Sequence, residues 1–266
     1  MSSFFSGKVV WITGASSGIG EALVYELAKQ NAKIILSARN ENGLKQVAEK
    51  AGLKSENSLI IPFDLSDTSK VKEYVQNVLS KFSRIDFLIN NGGMSQRSEA
   101  LTTTEAVERN LMEVNYFGHV ALSKAVLPVM IKQNSGHITV VSSIAGKFGF
   151  YLRSSYSAAK HALHGYFECL CLENEKNNIH VLMVCPGKIQ TEISIKATKE
   201  DGSAHGLMDD SHKNAVKADK CAVKILQAIK ANKKEVLIGG KEILAVTVKR
   251  FFPSLFYTII RKQRLG

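Results

Sequence analysis

The chain is poor in proline, four residues in 266, and no stretch is dominated by Pro, Gly or Ser. A long flexible linker and a low-complexity segment are thereby excluded, and one compact domain is expected at this length. Cysteine is equally scarce. Cys169, Cys171, Cys185 and Cys221 have neither zinc-ligand spacing nor the framework of a small secreted domain, so reduced thiols, no metal and a cytoplasmic setting are expected. The first eight residues run almost at once into an apolar strand, without the basic segment and long apolar run of a secretory signal. No stretch reads as the ~20 apolar residues that a membrane-spanning helix needs. Basic clusters interleaved with stacking aromatics are missing too, which removes a nucleic-acid partner. The net charge of +11 lies mainly in residues 186–266, with 16 Lys/Arg against 8 Asp/Glu, and an anionic cofactor or anionic lipid surface accounts for its sign.

What is present is a regular alternation. Apolar, β-branched runs of strand length fall at 9–13, 33–37, 58–63, 85–90, 137–142 and 180–185, with a seventh at 235–238. Segments of helical period separate them at 18–30, 67–82, 104–131, 154–176 and 217–231. Strand-helix alternation predicts an α/β fold, a single doubly wound domain with a parallel sheet and helices on both faces.

Directly after the first strand stand Thr13, Gly14, Ala15, Ser16, Ser17, Gly18, Ile19 and Gly20, which open the first helix. Gly14 suits a tight turn, Gly18 a close approach to a pyrophosphate, and Gly20 close helix-strand packing. Unpaired amides and the positive end of the helix dipole then favour phosphate beside Ser16, Ser17 and Ile19. The bland alternative is an ordinary turn between strand and helix. At the end of the second strand, Ala38 takes the position of the acidic residue that binds an NAD ribose, and Arg39 follows it. A guanidinium there suits the 2′-phosphate of NADP(H), unless Arg39 is only a solvated charge. Asp64 and Leu65, after the third strand, are candidate adenine contacts, with a turn or capping role as the alternative for Asp64.

Tyr156 and Lys160 lie four residues apart at the start of a helix, hence on one face. A free tyrosine, with a pKa of ~10, is a poor proton donor near neutrality, and a neighbouring ammonium favours its phenolate. That pairing suits Tyr156 to general acid/base work, with Lys160 also free to bind the nicotinamide ribose. Ser143 ends the fifth strand, at the carboxyl edge where ligands of open α/β sheets bind, and its hydroxyl suits a substrate oxygen that gains charge. Ser142 points the other way by strand alternation. Asn115, within the long middle helix, is a candidate holder of a water that relays protons to Lys160. Each of these residues alone has a bland reading; their order behind a glycine loop is what gives them weight.

Thr13 to Gly20 (TGASSGIG), Asn90-Asn91-Gly92-Gly93, Asn115, Ser143, Tyr156 to Lys160 (YSAAK), and Pro186-Gly187 with Thr191 together resemble the short-chain dehydrogenase/reductase family. Asn115 to Gly118, Ser157 to Ala162 and Asp201 to Asp209 narrow the likeness to its member-7/7B group. The resemblance implies a seven-stranded parallel Rossmann sheet in the order 3-2-1-4-5-6-7, an Asn-Ser-Tyr-Lys tetrad, a small-molecule carbonyl or alcohol substrate, and a homodimer or homotetramer built partly on the helix of Tyr156. It implies cofactor contacts at Asn91, Pro186, Gly187, Ile189 and Thr191, with Ile189 and Thr191 at the nicotinamide carboxamide, and a supporting role for Asn90. Gly92 departs from the family's usual alanine. Relatives in that group are often membrane-associated and act on lipid-like, steroid or retinoid carbonyls, but their N-terminal membrane segment has no counterpart here.

Residues 1–248 are expected to form the catalytic domain, with a substrate lid at 192–212 and apolar walls from Met94, Phe148 and Met208. The tail, 249–266, carries Phe251, Phe252, Leu255, Phe256, Ile259 and Ile260 between Lys249-Arg250 and Arg261-Lys262. Packing on a sister subunit or over the pocket is its simpler reading, and peripheral membrane contact the alternative. The leading function is hydride transfer between NADP(H) and an apolar ketone, aldehyde or alcohol. A non-catalytic NADPH-binding scaffold needs a damaged tetrad, which is not seen. A lyase or epimerase needs a larger substrate domain.

Overall fold

The computed structural model describes residues 3–207 and 215–262. In chain order the described strands are β1 Val9–Thr13, β2 Lys33–Ala38, β3 Ser58–Pro62, β4 Phe87–Asn90, β5 Gly136–Val141, β6 Ile179–Pro186, β7 Ile189–Gln190, β8 Val216–Lys217 and β9 Glu235–Ile238. The helices are α1 Gly18–Ala28, α2 Glu41–Lys50, α3 Val71–Phe82, α4 Glu105–Met112, α5 Gly118–Lys132, α6 Ser154–Glu173, α7 Ala218–Lys230, α8 Leu244–Phe251 and α9 Pro253–Arg261. Seven strands form one parallel sheet in the order β3-β2-β1-β4-β5-β6-β9, the expected topology with β9 as its seventh strand.

The sheet is covered on both faces because its strands are apolar on both. In β1, Val10 and Ile12 face a cluster built with Leu23 and Leu27 of α1, Leu44 of α2, and Ile225 and Ile229 of α7. Val9 and Trp11, one residue out of phase, face Val78 of α3, Leu122 and Val126 of α5, and Leu163 and Phe167 of α6. Full burial stabilises each such side chain by roughly 1.5–3 kcal/mol. A charge in the middle of β1 would therefore be unsupportable on either face. Trp11 keeps its polar atom satisfied, Nε1 donating to Ser37 Oγ at 2.9 Å.

Three departures from the expected elements concern the site. The segment after β2, for which no helix was expected, forms α2, capped by Asn40 Oδ1 accepting from Gly43 N at 3.0 Å. The single helix expected at 104–131 is α4 and α5 joined by a π-helical turn, Glu113–Phe117, with Asn115 fully buried at its centre. The run Glu105–Lys132 is long enough and, over an 18-residue window with a mean hydropathy of 1.2, apolar enough to cross a membrane, which corrects the expectation that no stretch is. In the structure it packs against the sheet, with Leu122, Val126 and Met130 fully buried. The small sheet β7-β8 was not expected either; it pairs Ile189–Gln190, just before the 192–212 segment, with Val216–Lys217.

The crevice lies where the chain reverses direction across the sheet, between the carboxyl ends of β1 and β4.

Candidate active site

The β1-α1 loop is braced from the strand beside it. Thr13 Oγ1 accepts from the amides of Asn91 and Gly92, each at 3.0 Å. Asn91 Nδ2 donates to the carbonyls of Thr13 at 3.0 Å and Gly14 at 3.3 Å. The Asn91 side chain is thus occupied with the loop's own backbone. Gly14 has φ +65°, a region that costs other residues ~1–2 kcal/mol, and a Cβ there would lie 2.7 Å from Gly92 Cα. Gly18 has φ +59°, and its Cβ would meet Thr191 Cγ2 at 3.1 Å; a Cβ on Gly20 would run into the Gly14 carbonyl. The Ser17 side chain makes no capping bond, which leaves the first amides of α1 to an external acceptor. Ile19 packs against the core on that same first turn.

A cleft of about 550 Å³ starts at Ser16, Ser17 and Thr191 and runs away from the tyrosine along α1 and α2, past Tyr25, Gln46 and Lys50. The bare glycine backbone and the uncapped helix start fit a dinucleotide. Arg39 is exposed just past β2, next to Asn40, and a Cβ added at Gly43 would touch both Asn40 and Ser16. Asp64 Oδ1 accepts from Ser66 N at 2.9 Å and Ser66 Oγ at 2.8 Å, so it makes a turn after β3. Leu65 is buried with its Cδ1 against Gly92. Asn90 points away from the crevice and donates to Ser123 Oγ at 2.8 Å. The Pro186 carbonyl accepts from Ser143 Oγ at 3.4 Å, Gly187 N donates to Ile238 O at 2.8 Å, and Ile189 is buried in β7. The 186–191 segment therefore runs from Ser143 to the glycine loop.

Ser143, Tyr156, Lys160 and Asn115 converge at this carboxyl edge. Ser143 caps a short 3-10 turn, its Oγ accepting from Ala145 N at 3.0 Å, and it hydrogen-bonds the Tyr156 hydroxyl. Burial raises the Tyr156 pKa; the bond to Ser143 and then the Arg153 charge pull it back. Arg153, three residues before Tyr156 and not a member of the expected tetrad, is a charge that acts on this phenol. Lys160 is buried, with Nζ donating to Val141 O at 3.0 Å and 5.7 Å from the Tyr156 ring centre. Burial pushes its pKa down to about 8. Asn115 spends its side chain on the main chain, Nδ2 donating to Met94 O and Leu111 O at 3.0 Å and Oδ1 accepting from Met94 N at 3.1 Å. A Cβ added at Gly93 would lie 2.7 Å from Asn115 Oδ1 and 3.6 Å from Lys160 Nζ, so these two groups flank Gly93.

Ser142 turns inward, 3.0 Å from His164 Nε2 and 3.2 Å from the Lys160 carbonyl. His164, Cys185 and Glu235 are close enough to be weighed as metal ligands. The Lys147 ammonium ion-pairs with Glu235 and sits 3.2 Å from His164 Nδ1, so the cluster already contains its cation. Burial pushes His164 down to about 4 and the Cys185 thiol up to about 12, the behaviour of a buried structural group.

The 192–212 segment is described as far as residue 207. Thr198 pins it to the body, donating through N to Ser95 O at 2.8 Å and accepting at O from Arg97 N at 2.8 Å. Phe148 is buried and Met94 half-buried, while Met208 lies outside the described residues. Phe148 belongs to a cluster with Ile144 and Phe256, which docks α9 on the turn that follows Ser143.

Three contributors escaped the sequence reading: Thr13 as a brace, Arg153 as a charge on Tyr156, and Gln96. Gln96 is fully buried and bonds the first amides of α6. A Thr that ends a strand before a glycine loop was a legible hint; for Arg153 and Gln96 the loop folding that brings them in left none.

A doubly wound parallel sheet with a bare glycine loop at its switch point, and a serine, tyrosine and lysine on the adjoining edge, defines the class of nicotinamide-dependent oxidoreductases. Residues 8–202 match the model of the short chain dehydrogenases. The chain belongs to the short-chain dehydrogenase/reductase family. A dehydrogenase/reductase SDR family protein 7-like of Drosophila melanogaster is 38% identical over 97% of this chain and 80% of its own length. Family member 7B of Danio rerio is 37% identical over 96% of this chain and 85% of its own. Among solved structures, a short-chain dehydrogenase from Streptomyces avermitilis superposes with a TM-score of 0.81 at 26% identity, covering 97% of this chain and all of that one. A short-chain dehydrogenase/reductase from Burkholderia phymatum, in complex with NAD, has a TM-score of 0.83 at 23% identity, covering 94% and 95%.

Proposed function

We propose that this oxidoreductase transfers a hydride between NADP(H) and the carbonyl or alcohol carbon of an apolar substrate: a lipid-like, steroid, retinoid or xenobiotic ketone or aldehyde. The observation that carries the reading is the buried Tyr156 hydroxyl, bonded to Ser143 and one helical turn from Lys160, beside the glycine loop. NADP(H), held at Gly14, Ser16, Ser17, Gly18, Ile19, Gly20, Arg39, Asp64, Leu65, Asn91, Pro186, Gly187, Ile189 and Thr191, supplies or takes up the hydride. Tyr156 gives its proton to the substrate oxygen in reduction and takes it back in oxidation. Ser143 hydrogen-bonds that oxygen as charge develops on it. Lys160 binds the nicotinamide ribose, and its ammonium favours the phenolate in the step that deprotonates Tyr156. Asn115 holds Met94 with its amide and keeps one Oδ1 lone pair for a relay water toward Lys160.

Preference for NADP(H) rests on Ala38 and Arg39, which put a cation where NAD-selective sites carry an acid. Residues 1–248 act as the catalytic domain, and 192–212 cover the substrate against Met94; Phe148, expected as a second wall, is core packing beneath Phe256. Two or four copies assemble partly through α6. The tail presents exposed Phe251, Phe252 and Leu255 between basic residues, which suits peripheral contact of a cytoplasmic protein with an anionic bilayer.

NADPH oxidation measured against a panel of lipid, steroid and small aromatic carbonyls tests the activity, with Tyr156→Phe as its control. Turnover of an apolar member, lost in the variant while NADPH binding persists, is expected. Turnover retained in Tyr156→Phe overturns the mechanism. NADPH binding with no turnover of any carbonyl favours the scaffold reading.

A further inference from the structure

Helix α6, which carries Tyr156 and Lys160, starts without a cap of its own. Arg153 stands at the capping position and its side chain makes no capping bond. An arginine offers no acceptor to the first-turn amides. Those of Ser155 and Tyr156 are buried, so they need an acceptor from elsewhere. Gln96 Oε1 supplies it across 60 residues of chain, accepting from Ser155 N at 2.9 Å and from Tyr156 N at 3.1 Å.

The rest of Gln96 is engaged with the same helix start and with its own loop. Its Nε2 lies 3.2 Å from each of Ser98 Oγ, Thr103 Oγ1 and Ser154 Oγ. Its main-chain carbonyl accepts from Arg153 Nη1, so the same residue also anchors the cation that acts on the Tyr156 phenol. Ser155 Oγ, next to the bonded amide, donates to Glu108 Oε1 at 2.9 Å and ties the helix start to α4. One side chain of Gln96 thus fixes the depth of Tyr156 through its own amide, while its backbone fixes Arg153.

We propose that Gln96 is a positioning residue for the reaction, a helix cap supplied from the β4-α4 loop that holds Tyr156 against Ser143. The inference rests on the reading of Tyr156 as the general acid/base. Without an acceptor at this point the first turn of α6 opens, and Tyr156, in that turn, leaves its place. Displacement of a reacting group by ~1 Å costs on the order of 10²-fold in rate. Cofactor contacts on the glycine loop lie on other elements and are not disturbed.

Two variants decide it. Gln96→Met keeps the length of the side chain and removes acceptor and donors; Gln96→Glu keeps the acceptor. In the glutamate variant two amides and the neighbouring hydroxyls are placed to hold the carboxylate, whose charge raises the Tyr156 pKa. For the panel carbonyl reduced fastest, Gln96→Met should lose roughly 10²-fold in kcat with NADPH affinity, read by cofactor fluorescence, within about threefold. Gln96→Glu should recover most of kcat on the plateau, with the limb of the pH profile assigned to Tyr156 moved to higher pH. Independently of any substrate, the amides of Ser155 and Tyr156 should exchange rapidly with deuterium in Gln96→Met and stay protected in Gln96→Glu. The proposal is overturned if Gln96→Met keeps its kcat and its amide protection. Should Gln96→Met fail to fold, an unshifted pH profile in Gln96→Glu overturns it instead. Turnover that survives in Tyr156→Phe would remove the acid/base reading itself, whereas a dead Tyr156→Phe beside a fully active Gln96→Met removes only the role of Gln96.

Discussion

Replacing Gly92 by the alanine usual in its family should destabilise this chain, and Leu65 is the reason. The added Cβ would lie 2.6 Å from Leu65 Cδ1, whereas carbon atoms rest at about 3.5–4.0 Å. Leu65 cannot back away as a whole, because its carbonyl already lies against Gly118 and its side chain is buried. It must leave its rotamer, at about 0.5–1.5 kcal/mol, within an overpacking cost of about 1–3 kcal/mol. The φ of Gly92 lies outside the left-handed region, so alanine also gains about 0.4–1 kcal/mol by restricting the unfolded chain. The net is a destabilisation of roughly 0.5–2 kcal/mol. In a Leu65→Ala background the clash disappears and only the gain remains, so the same substitution should stabilise by about 0.4–1 kcal/mol. Urea unfolding of the parent, the two single variants and the double variant measures this directly, provided the slopes agree. A destabilisation of equal size in both backgrounds would refute the packing argument.

Three further outcomes are expected. Arg39→Ala should lower the ratio of kcat/KM for NADPH over NADH by roughly ten- to a hundredfold, the worth of charge-assisted bonds to one phosphate; an unchanged ratio removes Arg39 from the cofactor site. Lys160 has a folded pKa of about 8 against an ordinary 10.5, so the penalty for its buried ammonium is fully present below pH 8 and fades as pH rises to 10.5, where the unfolded chain binds more protons. Cofactor-free Lys160→Met should therefore gain on the parent at pH 7 by up to about 3 kcal/mol and lose that advantage near pH 10.5; a difference independent of pH contradicts the burial argument. Finally, the triple change Phe251→Ser, Phe252→Ser and Leu255→Ser should reduce co-sedimentation with phosphatidylserine vesicles without unfolding the protein, since Phe256 carries the inner contact to Phe148. Parent protein recovered wholly in the supernatant rules the membrane contact out.

Much of the fold was legible because it depends on local rules. Strand-length apolar runs at fixed intervals, separated by helical periods, admit few arrangements other than a doubly wound sheet; its strand order came from the family resemblance, since right-handed crossovers allow other orders as well. The glycine loop was readable for a similar reason: Gly14 and Gly18 adopt φ of +65° and +59°, which glycine favours, and a Cβ on either would meet a neighbouring segment. The Tyr156-Lys160 pair was readable because four residues make one helical turn. The helix α2 was missed because few apolar residues mark it, with Leu44, Val47 and Ala48 as its buried side. The π-helical turn at Asn115 was missed because it extends a helix by one residue without changing composition.

Sequence alone determined the architecture, the loop and the kind of side chain brought to the reaction, since each is fixed by neighbours a few residues away. Tertiary structure decided what surrounds them. Arg153 adds its charge at the Tyr156 phenol, Asn115 spends its amide on Met94, and Gln96 caps a helix that begins 58 residues after it. Those relations join segments distant along the chain, and burial sets their strength; neither is written in the order of the residues.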